Sequence, residues 1–258
     1  MWPYPKVVAH RGGGTLAPEN TLAGFRAGLQ FGYRAAEFDV MLTRDEVPIL
    51  MHDPKRGRTL PGEGQIADSD WAQLSALDAG GWHGPSFVGE RLCTLEQALD
   101  FCLEHGIWMN VEIKPGSPAQ AQRTGELAAL AVGRRFSAAL EARRADPAAP
   151  QAATLPVLSS FSFEALMAAQ DAAPDLPRGF LIDAVPADWE ARLQQLQAVA
   201  LHTSHKNLTP ELARQVKAAG YGLFCYTVND AARAAEIMAW GVDAFCTDRI
   251  DLIAADAY

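Results

Sequence analysis

Short β-rich apolar runs alternate with helical stretches about eight times along this chain, and no other feature restricts its fold as much. The runs cover residues 7–10, 36–42, 108–113, 157–161, 178–182, 198–202, 222–227 and 243–247. Between most of them, apolar residues recur at three- and four-residue spacing over 21–31, 95–104, 119–142, 163–172, 210–219 and 231–240. That is the period of a helix with one buried face. Thr94 and Thr209 stand at capping positions, Pro210 suits a first turn, and Gly32, Gly106, Gly220 and Gly241 follow helix ends. Strand and helix in this alternation predict an α/β chain closed into a TIM (β/α)8 barrel. A doubly wound open sheet rarely needs so many repeats and usually brings a nucleotide-binding glycine loop. The length, 258 residues, suits a single barrel domain spanning 1–258. Two segments break the repeat. Residues 53–93, after the run that ends at His52, form a Gly/Pro-punctuated insertion with one short helical piece near 70–77; residues 145–154 are an Ala/Pro linker.

Charge narrows the partners. The formal net charge is -9, so neither nucleic acid nor an anionic membrane is expected to bind. An anionic substrate would need a local positive site. Cys93, Cys102, Cys225 and Cys246 form no C-x-x-C pair and read as small buried hydrophobes. The opening "MWPYPKVVAH" lacks the pattern of a secretory signal, and no run approaches the roughly 20 apolar residues that span a bilayer. A cytoplasmic location without stable membrane association is the expectation, and the sequence carries no signal of oligomeric state.

Chemistry in such a barrel gathers where the strands end. The first strand delivers His10 and Arg11, followed by three glycines. Such a run packs nothing and lowers stability, unless backbone must approach a ligand closely or cradle an anion. The second strand carries Glu37 and Asp39, the run "VPILMHD" delivers His52 and Asp53, and "MNVEIK" carries Glu112 and Lys114. Residues two apart share a face, so Glu37 projects with Asp39 and Glu112 with Lys114. Phe38 and Ile113 then face the helices. Inward-pointing acids in a packed barrel are costly unless paired or neutralised. A divalent cation held by Glu37, Asp39 and Glu112 meets that cost, and an all-oxygen set suits Mg²⁺, Ca²⁺ or Mn²⁺. Taken singly, each motif has a plainer reading: strand acids two apart usually line a solvated face, Lys114 can simply neutralise Glu112, and His52 can be structural. Their joint occurrence favours a site.

Together these stretches resemble the glycerophosphodiester phosphodiesterase family. "HRGGGTLAPENT" is similar to its H-R-G…P-E-N-T opening, "EFDVMLTRDEVPILMHD" to its E-x-D-V…H-D block, and "NVEIK" to its E-x-K strand. "YTVNDAARAAEIMAWGVDAFCTDRIDL" is similar to the closing stretch, with Tyr226 where tryptophan is usual and Ile250 where proline is usual. The resemblance implies a metal-dependent hydrolase of glycerophosphodiesters such as glycerophosphocholine or glycerophosphoethanolamine, yielding glycerol 3-phosphate and an alcohol. It implies Glu37, Asp39 and Glu112 as metal ligands, His10 and His52 as the acid–base pair, and Arg11 and Lys114 as phosphate contacts. It also implies an insertion that covers the barrel mouth and contributes to the glycerol site. The attacking oxygen would be the neighbouring glycerol hydroxyl, with direct water attack as the alternative.

Rival readings are a lysophospholipase D or a phosphatidylinositol-type phosphodiesterase on the same barrel, and a glycerophosphodiester-binding protein without catalysis. A long-chain substrate wants an apolar rim. Trp82 and Phe87 are the candidates, yet "GGWHGPSF" reads more simply as a packed loop. A binding protein would be expected to have lost an acid or a histidine, and all five are present.

Overall fold

The computed structural model describes residues 2–146 and 155–258, so most of the Ala/Pro linker lies outside the described residues. Among the described residues the nine strands are β1 (Val7–Ala9), β2 (Ala35–Leu42), β3 (Pro48–Leu50), β4 (Trp108–Ile113), β5 (Val157–Ser160), β6 (Arg178–Ile182), β7 (Ala200–Ser204), β8 (Gly222–Tyr226) and β9 (Ala244–Thr247). All but β3 pair in parallel, and β1 bonds to both β9 and β2, which closes an eight-stranded barrel. The helices are α1 (Leu22–Gln30), α2 (Trp71–Leu74), α3 (Leu95–Glu104), α4 (Ala121–Arg135), α5 (Ser137–Ala145), α6 (Phe163–Ala172), α7 (Trp189–Gln195), α8 (Pro210–Ala218) and α9 (Ala231–Ala239).

Barrel strands are covered on both faces, which is why they read as near-continuous apolar runs. β2 is buried along its whole length. Phe38 and Ile113 join the layer between sheet and helices, as the alternation requires. At the opposite end from the acids, Trp2, Tyr4 and Trp108 plug the barrel with Val8, Ala35 and Phe224. Tyr4 stacks on Trp108 with ring centroids 4.8 Å apart. Caps follow the sequence signals: Thr21 accepts from Gly24 N, Thr94 forms a capping box with Gln97, and Thr209 accepts from Leu212 N. All four cysteines are buried and free.

Three local features differ from the sequence reading. The helix expected over 119–142 is broken, because Phe136 turns its ring into the core (4% exposed) and leaves helical geometry between α4 and α5. α7 was not legible, being a short helix with few periodic positions. β3 runs antiparallel to the end of β2, with Val40 opposite Leu50. The turn between them is tied by Thr43, whose hydroxyl donates to Asp45 and accepts from Val47 N. The chain thereby climbs above the rim on β2 and returns to it. Ile49 of β3 and, beyond that strand, Met51, Leu60, Ile66, Leu74, Ala79 and Leu92 pack a separate apolar cluster around Met41.

Candidate active site

Backbone placement comes first. Arg11 sits in the left-handed region at φ +51° and Asn20 at φ +58°, a conformation that costs a non-glycine residue about 1 kcal/mol. Both are held there by hydrogen bonds. Arg11 N donates to Glu37 Oε2 at 3.1 Å, and its carbonyl accepts from Asn20 N at 3.0 Å. Asn20 then grips Asp39 from two sides: its Nδ2 donates to Oδ2 at 2.9 Å and its Oδ1 accepts from Asp39 N at 3.1 Å. The three glycines serve close approach of protein to protein. A Cβ on Gly14 (φ +56°) would lie 2.2 Å from the Asp248 carbonyl oxygen, and one on Gly12 or Gly13 would meet α1 at 2.8 Å. Where the sequence left a phosphate cradle open, the structure puts α1 and the loop after β9.

The acids converge. Glu37, Asp39 and Glu112 are buried, and one carboxylate oxygen from each lies within 4.8 Å of the others. Parallel pairing of β2 with β4 sets Asp39 opposite Glu112. Lys114 Nζ reaches Glu112 Oε1 at 3.1 Å and Asp39 Oδ1 at 3.4 Å, while Arg11 Nε lies 3.6 Å from Asp39 Oδ2. Burial and then the Asp39 charge push Glu37 up to about 8, and the same causes raise Glu112. Asp39 is held below the usual range: burial opposes this, but Lys114 and Arg11 outweigh it. A buried triad of oxygen donors, two of them raised by burial and then by mutual repulsion, fits a hard divalent cation.

Two histidines flank the triad, each anchored through Nδ1. His10 Nδ1 meets Asp248 Oδ1 at 2.6 Å, and its Nε2 lies 3.7 Å from Glu37. Asp248 is itself fixed by Asn229, which donates to Oδ2 at 2.9 Å. His52 Nδ1 meets Asp53 Oδ1 at 2.7 Å. It comes to the rim because Met51 N, on the returning chain, bonds to Asp39 O at 3.1 Å. A carboxylate on Nδ1 fixes the tautomer and leaves Nε2 for chemistry. Burial draws both imidazoles down. For His10 the Asp248 hydrogen bond and the charges of Glu37 and Asp248 reverse this, raising it; for His52 the Arg11 and Lys114 charges add to burial and it stays lowered.

A sequence model of the glycerophosphoryl diester phosphodiesterase family matches residues 10–252. The chain belongs to that family. It is 30% identical over 243 residues to the glycerophosphodiester phosphodiesterase of Caldanaerobacter subterraneus subsp. tengcongensis, covering 94% of this chain and 93% of that one. It is also similar to the structure of an Oleispira antarctica phosphodiesterase in complex with the product sn-glycerol-3-phosphate. There the TM-score is 0.82 and the identity 32%, with 97% and 96% of the two chains covered. The glycerophosphodiester phosphodiesterase from Agrobacterium tumefaciens gives a TM-score of 0.75 at 26% identity, covering 97% and 99%. This glycerophosphodiester phosphodiesterase is thus a phosphoric diester hydrolase on a TIM barrel, with an acidic cluster suited to a metal.

All seven residues singled out in the phosphodiesterase sequence meet at one end of the barrel. Of the supporting residues, Asp53 was read beside His52, whereas Glu19, Asp248 and Arg58 were not singled out. Glu19 holds Arg11 through a 2.8 Å bond to its guanidinium. Arg58, from the insertion, donates to Asp53 Oδ2 at 2.5 Å and to both oxygens of Glu19 at 2.6 and 2.7 Å. One guanidinium therefore joins the partner of His52 to the partner of Arg11. Glu19 and Asp248 lay inside the quoted motifs, but 8 and 238 positions from the side chains they hold, so no local signal paired them. Arg58 had none either.

Proposed function

We propose that this enzyme hydrolyses water-soluble glycerophosphodiesters, glycerophosphocholine and glycerophosphoethanolamine among them, to glycerol 3-phosphate and the free alcohol. Glu37, Asp39 and Glu112 would hold one Mg²⁺ or Ca²⁺, with Mn²⁺ a further fit to the same oxygens. When bound, the cation supplies Lewis-acid neutralisation of the phosphodiester charge. Arg11 and Lys114 stand beside the triad and add positive charge for the non-bridging oxygens. His10 and His52 are the acid–base pair: one removes the proton of the attacking glycerol hydroxyl and the other protonates the departing alkoxide, leaving a cyclic phosphodiester that water then opens to glycerol 3-phosphate. Asp248 and Asp53 hold the two rings with Nε2 free. Asn20 keeps Asp39 from turning away.

The observation that carries this reading is the convergence of three buried carboxylates between two imidazoles that are each anchored by a further carboxylate. The segment 53–93 covers the mouth in this reading. Arg58 ties it to Glu19, His83 Nε2 donates to Thr15 O at 3.0 Å, and Glu90 accepts from Ala23 N. His83 lies between Trp82 and Phe87, with ring centroids at 5.5 and 5.1 Å, and Trp82 Nε1 donates to Ala79 O at 2.8 Å, so the indole, though partly exposed, is tied to its own loop. No helix among the described residues is long and apolar enough to cross a membrane. A cytoplasmic, soluble substrate fits these features best.

Turnover of glycerophosphocholine, followed by phosphorus NMR, tests the proposal. His10→Ala and His52→Ala should each lower kcat by on the order of 10²–10⁴ without altering the circular dichroism spectrum. Exhaustive chelation should abolish turnover, and Mg²⁺ or Ca²⁺ should restore it. Near-normal turnover by both variants, or full activity after chelation, contradicts the assignment.

A further inference from the structure

A cavity of about 700 Å³ opens at the rim between the ends of β4 and β5. Its inner end is formed by Glu112 and Lys114, so it is continuous with the acidic triad. Farther out its wall carries Phe161, Ser162 and Glu164. Phe161 is 47% exposed at the end of a barrel strand, where most large apolar side chains are covered. Its ring meets Tyr226 edge to face, with centroids 5.6 Å apart, so the two form an aromatic corner. Glu164 is exposed and accepts from Ser162 Oγ at 3.2 Å, with no lysine or arginine in ion-pair reach among the described residues.

The groove is thus polarised along its length. Lys114 at the inner end suits phosphate oxygens. The outer part offers an aromatic ring and a carboxylate, and no cationic side chain lines it. An aromatic face beside a carboxylate attracts a positively charged, weakly hydrated group. A second anionic or strongly acidic group would be repelled there, in a chain whose net charge is already -9. We propose that this groove receives the leaving alcohol and selects one bearing an ammonium group, with Phe161 and Glu164 as the selecting residues. The inference rests on the phosphodiesterase reading above and deepens it.

The test compares kcat/KM for glycerophosphocholine with that for glycerophosphoglycerol, whose leaving alcohol is neutral. Phe161→Leu keeps the apolar bulk and removes the ring quadrupole, and Glu164→Gln keeps the shape and removes the charge. The choline-to-glycerol ratio should fall about tenfold in Phe161→Leu and roughly threefold in Glu164→Gln. A ratio unmoved in both variants, or a wild type that prefers the neutral diester, overturns the subsite while leaving the hydrolase reading intact. A metal-loaded wild type that hydrolyses neither diester overturns the activity reading, and this inference with it.

Discussion

Arg58 joins two carboxylates that each hold a different side chain beside the acidic triad, and it does so from the insertion. Its side chain is 44% exposed, so its ion pairs with Asp53 and Glu19 contribute little to stability, about 1 kcal/mol or less. Its contribution to geometry is larger, because Asp53 fixes His52 and Glu19 fixes Arg11. Arg58→Ala should therefore lower kcat about tenfold while the melting temperature moves by only a few degrees, and added guanidinium should restore part of the rate. A rate unchanged within a factor of two, or a collapse of the melting temperature, would contradict a positioning role. Such relay residues are hard to read from sequence. Period-two alternation exposes pairs like Glu37 and Asp39, but nothing local ties Arg58 to Glu19, 39 positions away.

At the scale of elements, strand identity and direction were legible where the periodicity is long, and failed where an element is short or antiparallel. The eight barrel strands follow from apolar runs that both faces bury. β3 does not, because three residues carry no period, yet its direction is what returns His52 to Asp39. The break at Phe136 was hidden by an alanine-rich stretch in which every phase looks helical. Alanine and glycine there have a purpose that only the packing reveals. α4 and α6 approach so closely that a Cβ on Gly125 would lie 2.0 Å from the Ala165 carbonyl oxygen. Gly125→Leu should destabilise the protein by about 1–3 kcal/mol through overpacking, read by chemical denaturation. A stability equal to wild type would mean the two helices are not in this contact.

For the whole molecule, the barrel buries polar groups away from the rim as well as at it. His202 on β7 is fully buried and stacks on Phe224 at 4.7 Å, and neither ring nitrogen has a hydrogen-bond partner among the described residues. Burial alone pushes it down to about 3. Below the ordinary histidine value near 6.5 the unfolded chain takes up a proton that the folded chain refuses. The stability present above that pH is therefore lost as pH falls toward about 3, at a slope of about 1 kcal/mol per pH unit. His202→Leu should flatten the unfolding free energy between pH 6.5 and 4 relative to wild type; an equal slope in both proteins would contradict a neutral buried imidazole. The rim follows a different logic, since closure of the barrel gathers Glu37, Asp39 and Glu112 into a single centre suited to a divalent cation. Calorimetric titration of Mn²⁺ into metal-stripped enzyme tests this most directly. The wild type should bind one ion per chain, and Asp39→Asn and Glu112→Gln should each weaken that binding by more than about 100-fold. Equal affinity in wild type and both variants would contradict it.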